Sequence, residues 1–221
     1  MTPQPQPRQP HKLQAILVDL DNTLYPPECG LLAAGDERIT AFIQERLGLP
    51  WDEADEVRRR LWREYGTTAR GLALEFGIPE AEMCREALES LDPRGIIAPA
   101  PELAQMLRET GVPVYLFTNS THGYATRVLD ALGVQEAFAG IFDLEFLEWE
   151  GKPSEGAFRK VLEALGIEPQ AVALADDHAP NLAVARELGM VTVAVGVQCP
   201  ADFRVREIGE LAGVLRLAGL L

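Results

Sequence analysis

Two aspartates two residues apart, Asp19 and Asp21, close the apolar run Leu13-Gln-Ala-Ile-Leu-Val-Asp-Leu, with Asn22 and Thr23 behind them. On an extended strand two such carboxylates share a face and repel, which is costly unless a cation or a proton lies between them. A divalent ion resolves the conflict. A carboxylate beside such an ion stays ionised and can attack an electrophile, while its neighbour can carry protons. A plain polar turn uses the same residue types, so the pair alone leaves both readings open. A second acidic pair, Asp176-Asp177, ends the apolar run Ala171-Val-Ala-Leu-Ala, and Asn181 follows. Oxygen-rich, histidine-poor clusters suit a hard ion such as magnesium, although helix caps also place acids at such a junction.

Thr118 ends the run Val112-Pro-Val-Tyr-Leu-Phe and is followed by Asn119, Ser120 and Thr121. A hydroxyl with free backbone N–H groups at a strand-to-helix turn receives phosphoryl oxygens well, and it equally makes an ordinary helix cap. Lys152, in Gly151-Lys-Pro153, stands just ahead of a helical pattern. A positioned ammonium there would neutralise charge building on a transferred group.

Positioning these groups requires a particular architecture. The apolar runs, joined by Met190-Val-Thr-Val-Ala-Val, alternate with helical patterns over Pro101 to Thr110, Tyr124 to Leu132, Ser154 to Leu165 and Ala179 to Leu188, several closing on glycine. Strands alternating with helices of this length predict an α/β fold, a doubly wound parallel sheet of Rossmann-like form, with ligands bound beyond the carboxyl ends of its strands. Residues 26–98 break the rhythm with consecutive amphipathic helices, clearest from Arg38 to Leu47 and Asp52 to Tyr65. They read as a helical cap inserted into a core of residues 12–25 and 99–221, with prolines at Tyr25-Pro-Pro27 and Ala98-Pro-Ala-Pro101 marking the crossings. Residues 1–11 read as a disordered tail, and Phe203 to Leu217 as a last amphipathic helix.

The chain has 221 residues and a formal net charge of -14, which repels a nucleic-acid backbone and also a free phosphate, so phosphate chemistry here needs a local cation. Three scattered cysteines and the lack of an apolar run of about 20 residues predict a cytoplasmic protein with reduced thiols and no membrane span. A monomer and a homodimer fit equally.

Taken in this order at strand ends, the Asp19 to Thr23 run, Thr118, Lys152 and Asp176-Asp177 resemble the haloacid dehalogenase superfamily. The resemblance implies that Asp19 is a nucleophile forming an aspartyl-phosphate, that Asp21 is general acid and then base, and that Thr118 holds the phosphoryl group, with Leu20 and Asn119 as substrate-binding neighbours. It implies that Lys152 orients and neutralises. Mg2+ would take a carboxylate oxygen of Asp19, the backbone carbonyl of Asp21 and Asp177, with Asp176 acting through water or exchanging places with Asp177. Dehalogenases of the superfamily lack the second aspartate, so Asp21 argues for a phosphatase. In the cap, Glu64-Tyr-Gly-Thr-Thr-Ala-Arg-Gly-Leu72 and Asp21-Asn-Thr-Leu-Tyr-Pro26 resemble the pyrimidine 5'-nucleotidase branch, which implies UMP or CMP as substrate, with Tyr65 stacking on the base and Arg70 meeting substrate oxygens. A sugar-phosphate phosphatase or a phosphomutase with the same core is the alternative, and a non-catalytic binding module the more distant one. Trp51 and Trp62 read as packing residues, and His122 and His178 as bystanders.

Overall fold

A computed structural model describes residues 12–221, so the tail expected over residues 1–11 lies outside the described residues. The chain opens with β1 (Ala15–Val18) and then runs through α1 (Leu31–Leu47), α2 (Trp51–Tyr65), α3 (Thr68–Phe76) and α4 (Glu80–Met83), which continues into a π-helical turn over Cys84–Leu88. There follow α5 (Pro101–Glu109), β2 (Val114–Phe117), α6 (His122–Leu132), β3 (Gly140–Phe142), α7 (Glu155–Leu165) and β4 (Val172–Asp176). The chain ends with α8 (Ala179–Glu187), β5 (Val191–Val195), β6 (Phe203–Val205) and α9 (Leu211–Leu217).

The strands form one parallel sheet in the order β3-β2-β1-β4-β5-β6. The order reverses beside β1, which makes the gap between the carboxyl ends of β1 and its neighbours the natural ligand crevice. Side chains alternate between the faces as a period of two requires. Ile16 and Val18 join one apolar cluster with α5, α6 and α9, while Leu17, Val172 and Leu174 join Phe158 and Leu182 on the other face. Burial on both faces is why these strands read as continuous apolar runs.

Two strands were not foreseen. β3 and β6 are three residues each and lie at the sheet's edges, too short for a recognisable pattern. The helix expected from Phe203 therefore begins only at Leu211, after β6 has paired with β5.

Between β1 and α5 the inserted helices bury their own apolar cluster, centred on Phe42, Ile43, Leu61, Leu72 and Met83. α1 starts seven residues ahead of the expected Arg38, at Leu31, because Gly30 and Gly35 weaken the helical signal there. Helices α2 and α3 cross closely at Gly71, where an added Cβ would stand 2.7 Å from Leu61 Cβ and 2.9 Å from Tyr65 Cδ2. Gly71→Ala should therefore push α3 off α2 and cost about 1–3 kcal/mol, as overpacking does. Urea denaturation checks this; a midpoint equal to wild type would mean that the two helices separate freely.

Candidate active site

The core groups converge at the carboxyl end of the sheet: Asp19 follows β1, Thr118 follows β2, Asp176 ends β4, and Lys152 enters from the loop before α7. Lys152 is almost wholly buried, with 1% of its side chain exposed, and its Nζ donates to Asp19 Oδ1 and to Asp176 Oδ2, each at 2.7 Å. The ammonium also lies 5.0 Å from the centre of the Phe117 ring. Burial alone would lower its pKa, but Asp176 and Asp19 outweigh that and hold it above the ordinary lysine value. Asp176 has no free side: Oδ1 accepts from the His178 N–H at 2.8 Å, and Asn181 Nδ2 bridges both oxygens at 3.0 Å.

The acids outnumber the cation. Asp19, Asp176 and Asp177 each offer a carboxylate oxygen, all within 4.8 Å of one another. Against the single Lys152 ammonium, two negative charges remain uncompensated. Asp19 is pushed well above the usual carboxylate range, first by burial, with Asp176 adding to it and Lys152 opposing it. Asp177 is pushed up to about 6, again first by burial and then by Asp176. No side chain among the described residues donates to Asp177, so its oxygens, like Asp19 Oδ2, keep free lone pairs. A hard divalent cation fits such a group of oxygen donors in both charge and chemistry.

Asp21 turns away from that trio. The Tyr25 hydroxyl donates to Asp21 Oδ1, the Ser120 hydroxyl to Oδ2 at 3.0 Å, and the Tyr124 hydroxyl lies 3.5 Å from Oδ1. Burial raises the Asp21 pKa, and the Tyr25 and Ser120 hydrogen bonds partly oppose it. Asn22 takes the left-handed region at φ 60, turning the chain directly behind this carboxyl. Thr118 is buried, and its Oγ1 accepts from the Ser120 N–H at 3.1 Å, which leaves the hydroxyl proton free to donate.

The expected neighbours are less simply placed. Leu20 is fully buried in the core and its carbonyl accepts from Thr23 and Leu24, so its backbone N–H is the part left to meet a ligand. The Asn119 side chain, expected at the substrate, is engaged with the Lys152 backbone instead. In the cap, the Tyr65 hydroxyl donates to Glu75 at 2.9 Å and Arg70 pairs with Glu80 at 3.1 Å. Both line a cavity of about 760 Å³, together with Trp62, Trp149 and His178, and none of Asp19, Asp21, Asp176 and Asp177 lies in its wall. Trp51 and Trp62, expected to pack, are 42% and 47% exposed, because α2 turns them away from the cap's own core. The Trp62 ring meets His178 at 5.3 Å across the boundary between cap and core, and the His122 ring is tied to Asp143 at 2.8 Å. Tyr25, Ser120 and Tyr124 are partners of Asp21 that the sequence motifs do not single out. The only sequence signal was their closeness to the motifs, Tyr25 four residues past Asp21 and Ser120 two past Thr118.

Residues 13–189 match the model of a hydrolase family described as haloacid dehalogenase-like hydrolase. The chain belongs to that family. It is similar to a phosphoglycolate phosphatase of Chromobacterium violaceum, 26% identical over 92% of this chain and 97% of that protein. A ribulose-1,5-bisphosphate 5-phosphatase of Halopiger xanaduensis is 31% identical over 81% of this chain and 83% of its own length. Among solved structures, CbbY from Rhodobacter sphaeroides in complex with phosphate superposes with a TM-score of 0.68 at 21% identity, covering 90% of this chain and 96% of that one. The L-2-haloacid dehalogenase from Xanthobacter autotrophicus superposes with a TM-score of 0.61 at 17% identity, covering 92% and 98%. The fold of this hydrolase is therefore shared by enzymes of two chemistries, and its own site residues have to distinguish them. No helix among the described residues is long and apolar enough to cross a membrane.

Proposed function

We propose that this haloacid dehalogenase-like hydrolase is a magnesium-dependent phosphatase of small phosphate monoesters of the sugar-phosphate and phosphoglycolate kind. The observation that carries the reading is the second carboxylate, Asp21, held by Tyr25 and Ser120 two residues beyond the Lys152-bound Asp19. A phosphate ester loses an alkoxide that needs a proton, whereas a halide leaves without one. The names of relatives support the substrate class, since a glyceraldehyde 3-phosphate phosphatase of Methanocaldococcus jannaschii, 23% identical, joins the two above. They favour the sugar-phosphate alternative over the pyrimidine monophosphate expected from the cap.

In this mechanism an Asp19 carboxylate oxygen attacks phosphorus and the ester oxygen leaves with the bonding pair, taking the Asp21 proton. Asp21, now ionised, removes a proton from a water that attacks the aspartyl-phosphate, which releases inorganic phosphate and regenerates both carboxyls. Thr118 donates its hydroxyl proton to the phosphoryl oxygens, and Lys152 offsets the charge on Asp19. Asp19, Asp177 and the Asp21 carbonyl would hold the magnesium, with Asp176 behind them; the ion supplies the remaining positive charge that a phosphoryl group requires.

The test is phosphate release from phosphoglycolate, glyceraldehyde 3-phosphate, several sugar phosphates, UMP and CMP, with magnesium and with EDTA. The small esters should lead the pyrimidine nucleotides by about tenfold or more in kcat/KM, the scale on which pocket contacts discriminate. UMP or CMP at the head of the ranking would overturn the substrate class, and no turnover of any ester would overturn the function. Asp21→Asn should lower kcat by about 10²–10⁴-fold on the best ester, the usual worth of a positioned acid–base group, while the Tyr25 and Ser120 hydroxyls still hold the side chain.

A further inference from the structure

We infer that Asn119 is a positioning residue that holds the backbone of Lys152, and through it the ammonium, rather than a residue that binds substrate. Its amide closes a ring of hydrogen bonds with residue 152: the Lys152 N–H donates to Asn119 Oδ1 at 2.7 Å, and Asn119 Nδ2 donates to the Lys152 carbonyl at 2.7 Å. Reversing the amide would set donor against donor and acceptor against acceptor, so the pairing has one orientation. A primary amide is the shortest side chain that offers both a donor and an acceptor in one plane, and here it mimics a rung of sheet across 33 residues of sequence.

The surroundings are built to admit this contact. Gly151 is required beside it, since a Cβ there would stand 2.5 Å from Asn119 Oδ1 and 2.9 Å from Asn119 Cγ. On the other side, Gly66 at the end of α2 brings the cap against the same carbonyl, its would-be Cβ 3.0 Å from Lys152 O. Lysine has a flexible four-carbon stem, so the position of its Nζ depends on where its backbone is held. That Nζ meets two separate carboxylates at 2.7 Å, an arrangement a shifted main chain could not maintain for both. Misplacement of a reacting group by about 1 Å costs on the order of 10²-fold in rate. Asn119 also directly follows Thr118, so a single turn places the phosphoryl-binding hydroxyl and fixes the lysine.

The inference rests on the phosphatase reading and fails separately from it. Wild-type turnover of a phosphate ester establishes the reading, and the variants are then compared on that ester. Asn119→Ala and the isosteric Asn119→Asp, which sets a carboxylate oxygen against the Lys152 carbonyl, should each lower kcat about 10- to 100-fold with KM within about threefold of wild type. Gly151→Ala, which displaces the amide without touching it chemically, should behave alike. The double variant Asn119→Ala with Gly151→Ala should be no slower than the slower single one, because both remove the same contact. A raised KM at retained kcat would place Asn119 on the substrate and overturn the inference. Wild-type kcat in Asn119→Asp, or losses that multiply in the double variant, would overturn it too.

Discussion

Asp19→Asn should abolish phosphate release, with kcat falling by at least about 10⁴-fold, the scale seen when a nucleophile that works within a set is removed. Asparagine keeps the size of aspartate and an oxygen for the Lys152 ammonium, now 2.7 Å from Asp19 Oδ1, so the fold has no reason to change. Only the nucleophilic carboxylate is lost. The stability result should run the other way. Burial and Asp176 hold the Asp19 pKa above the usual range, which means that its charge is disfavoured in the folded state. A neutral amide removes that penalty, so without divalent ions the variant should melt no lower than wild type. Phosphate release and thermal melting of the same two samples check both halves. Turnover equal to wild type would show that Asp19 does not attack.

The parts of this site that were legible in the sequence are those whose chemistry restricts residue type. Acids at the end of an apolar run are conspicuous because burial next to them is expensive, and Asp19, Asp176 and Asp177 stood out for that reason. Contacts spanning long separations carry no such mark. The Ser120 hydroxyl meets an Asp21 oxygen across 99 residues, and nothing in the local pattern of either predicts the other. Asn119 is conspicuous in the sequence only for its place beside Thr118, yet its partners lie 33 residues away. β6 is hidden within a helical pattern because Phe203-Arg-Val is too short to show its period and gains its hydrogen bonds only from β5. Trp62 shows the opposite error. A tryptophan on an amphipathic helix is ordinarily taken as core, but here it stands at the seam between cap and sheet.

Lys152→Met tests the other half of the charge arrangement, and its largest effect should be on stability. Methionine fills much of the same volume but leaves Asp19 and Asp176 buried without the cation both touch at 2.7 Å. Breaking a buried ion pair from one side costs about 3–5 kcal/mol, which in a chain of this size lowers Tm by roughly 10 °C. The loss should depend on pH, with a definite sign. Already in the wild type the folded-state pKa of Asp19 is raised, and removing the ammonium that opposed this raises it further. The folded variant then binds a proton that the unfolded chain has released above its own value of about 3.9, so stability falls as pH rises between those two values, by at most about 1.4 kcal/mol per unit. Lys152 itself is raised above the ordinary lysine value in the wild type, so its contribution is fully present below about 10.4 and does not vary between pH 5 and 8. In EDTA the gap in Tm between the two proteins should therefore widen as pH rises from the folded-state Asp19 value of the wild type towards that of the variant, and should never widen on acidification. Magnesium should narrow it at pH 8 by supplying the missing positive charge to the folded state alone. A gap that is absent at pH 8, or that widens on acidification, would mean that the buried carboxylates do not rely on Lys152, and with that the proposed balance of three acids against one ammonium and a metal would fail.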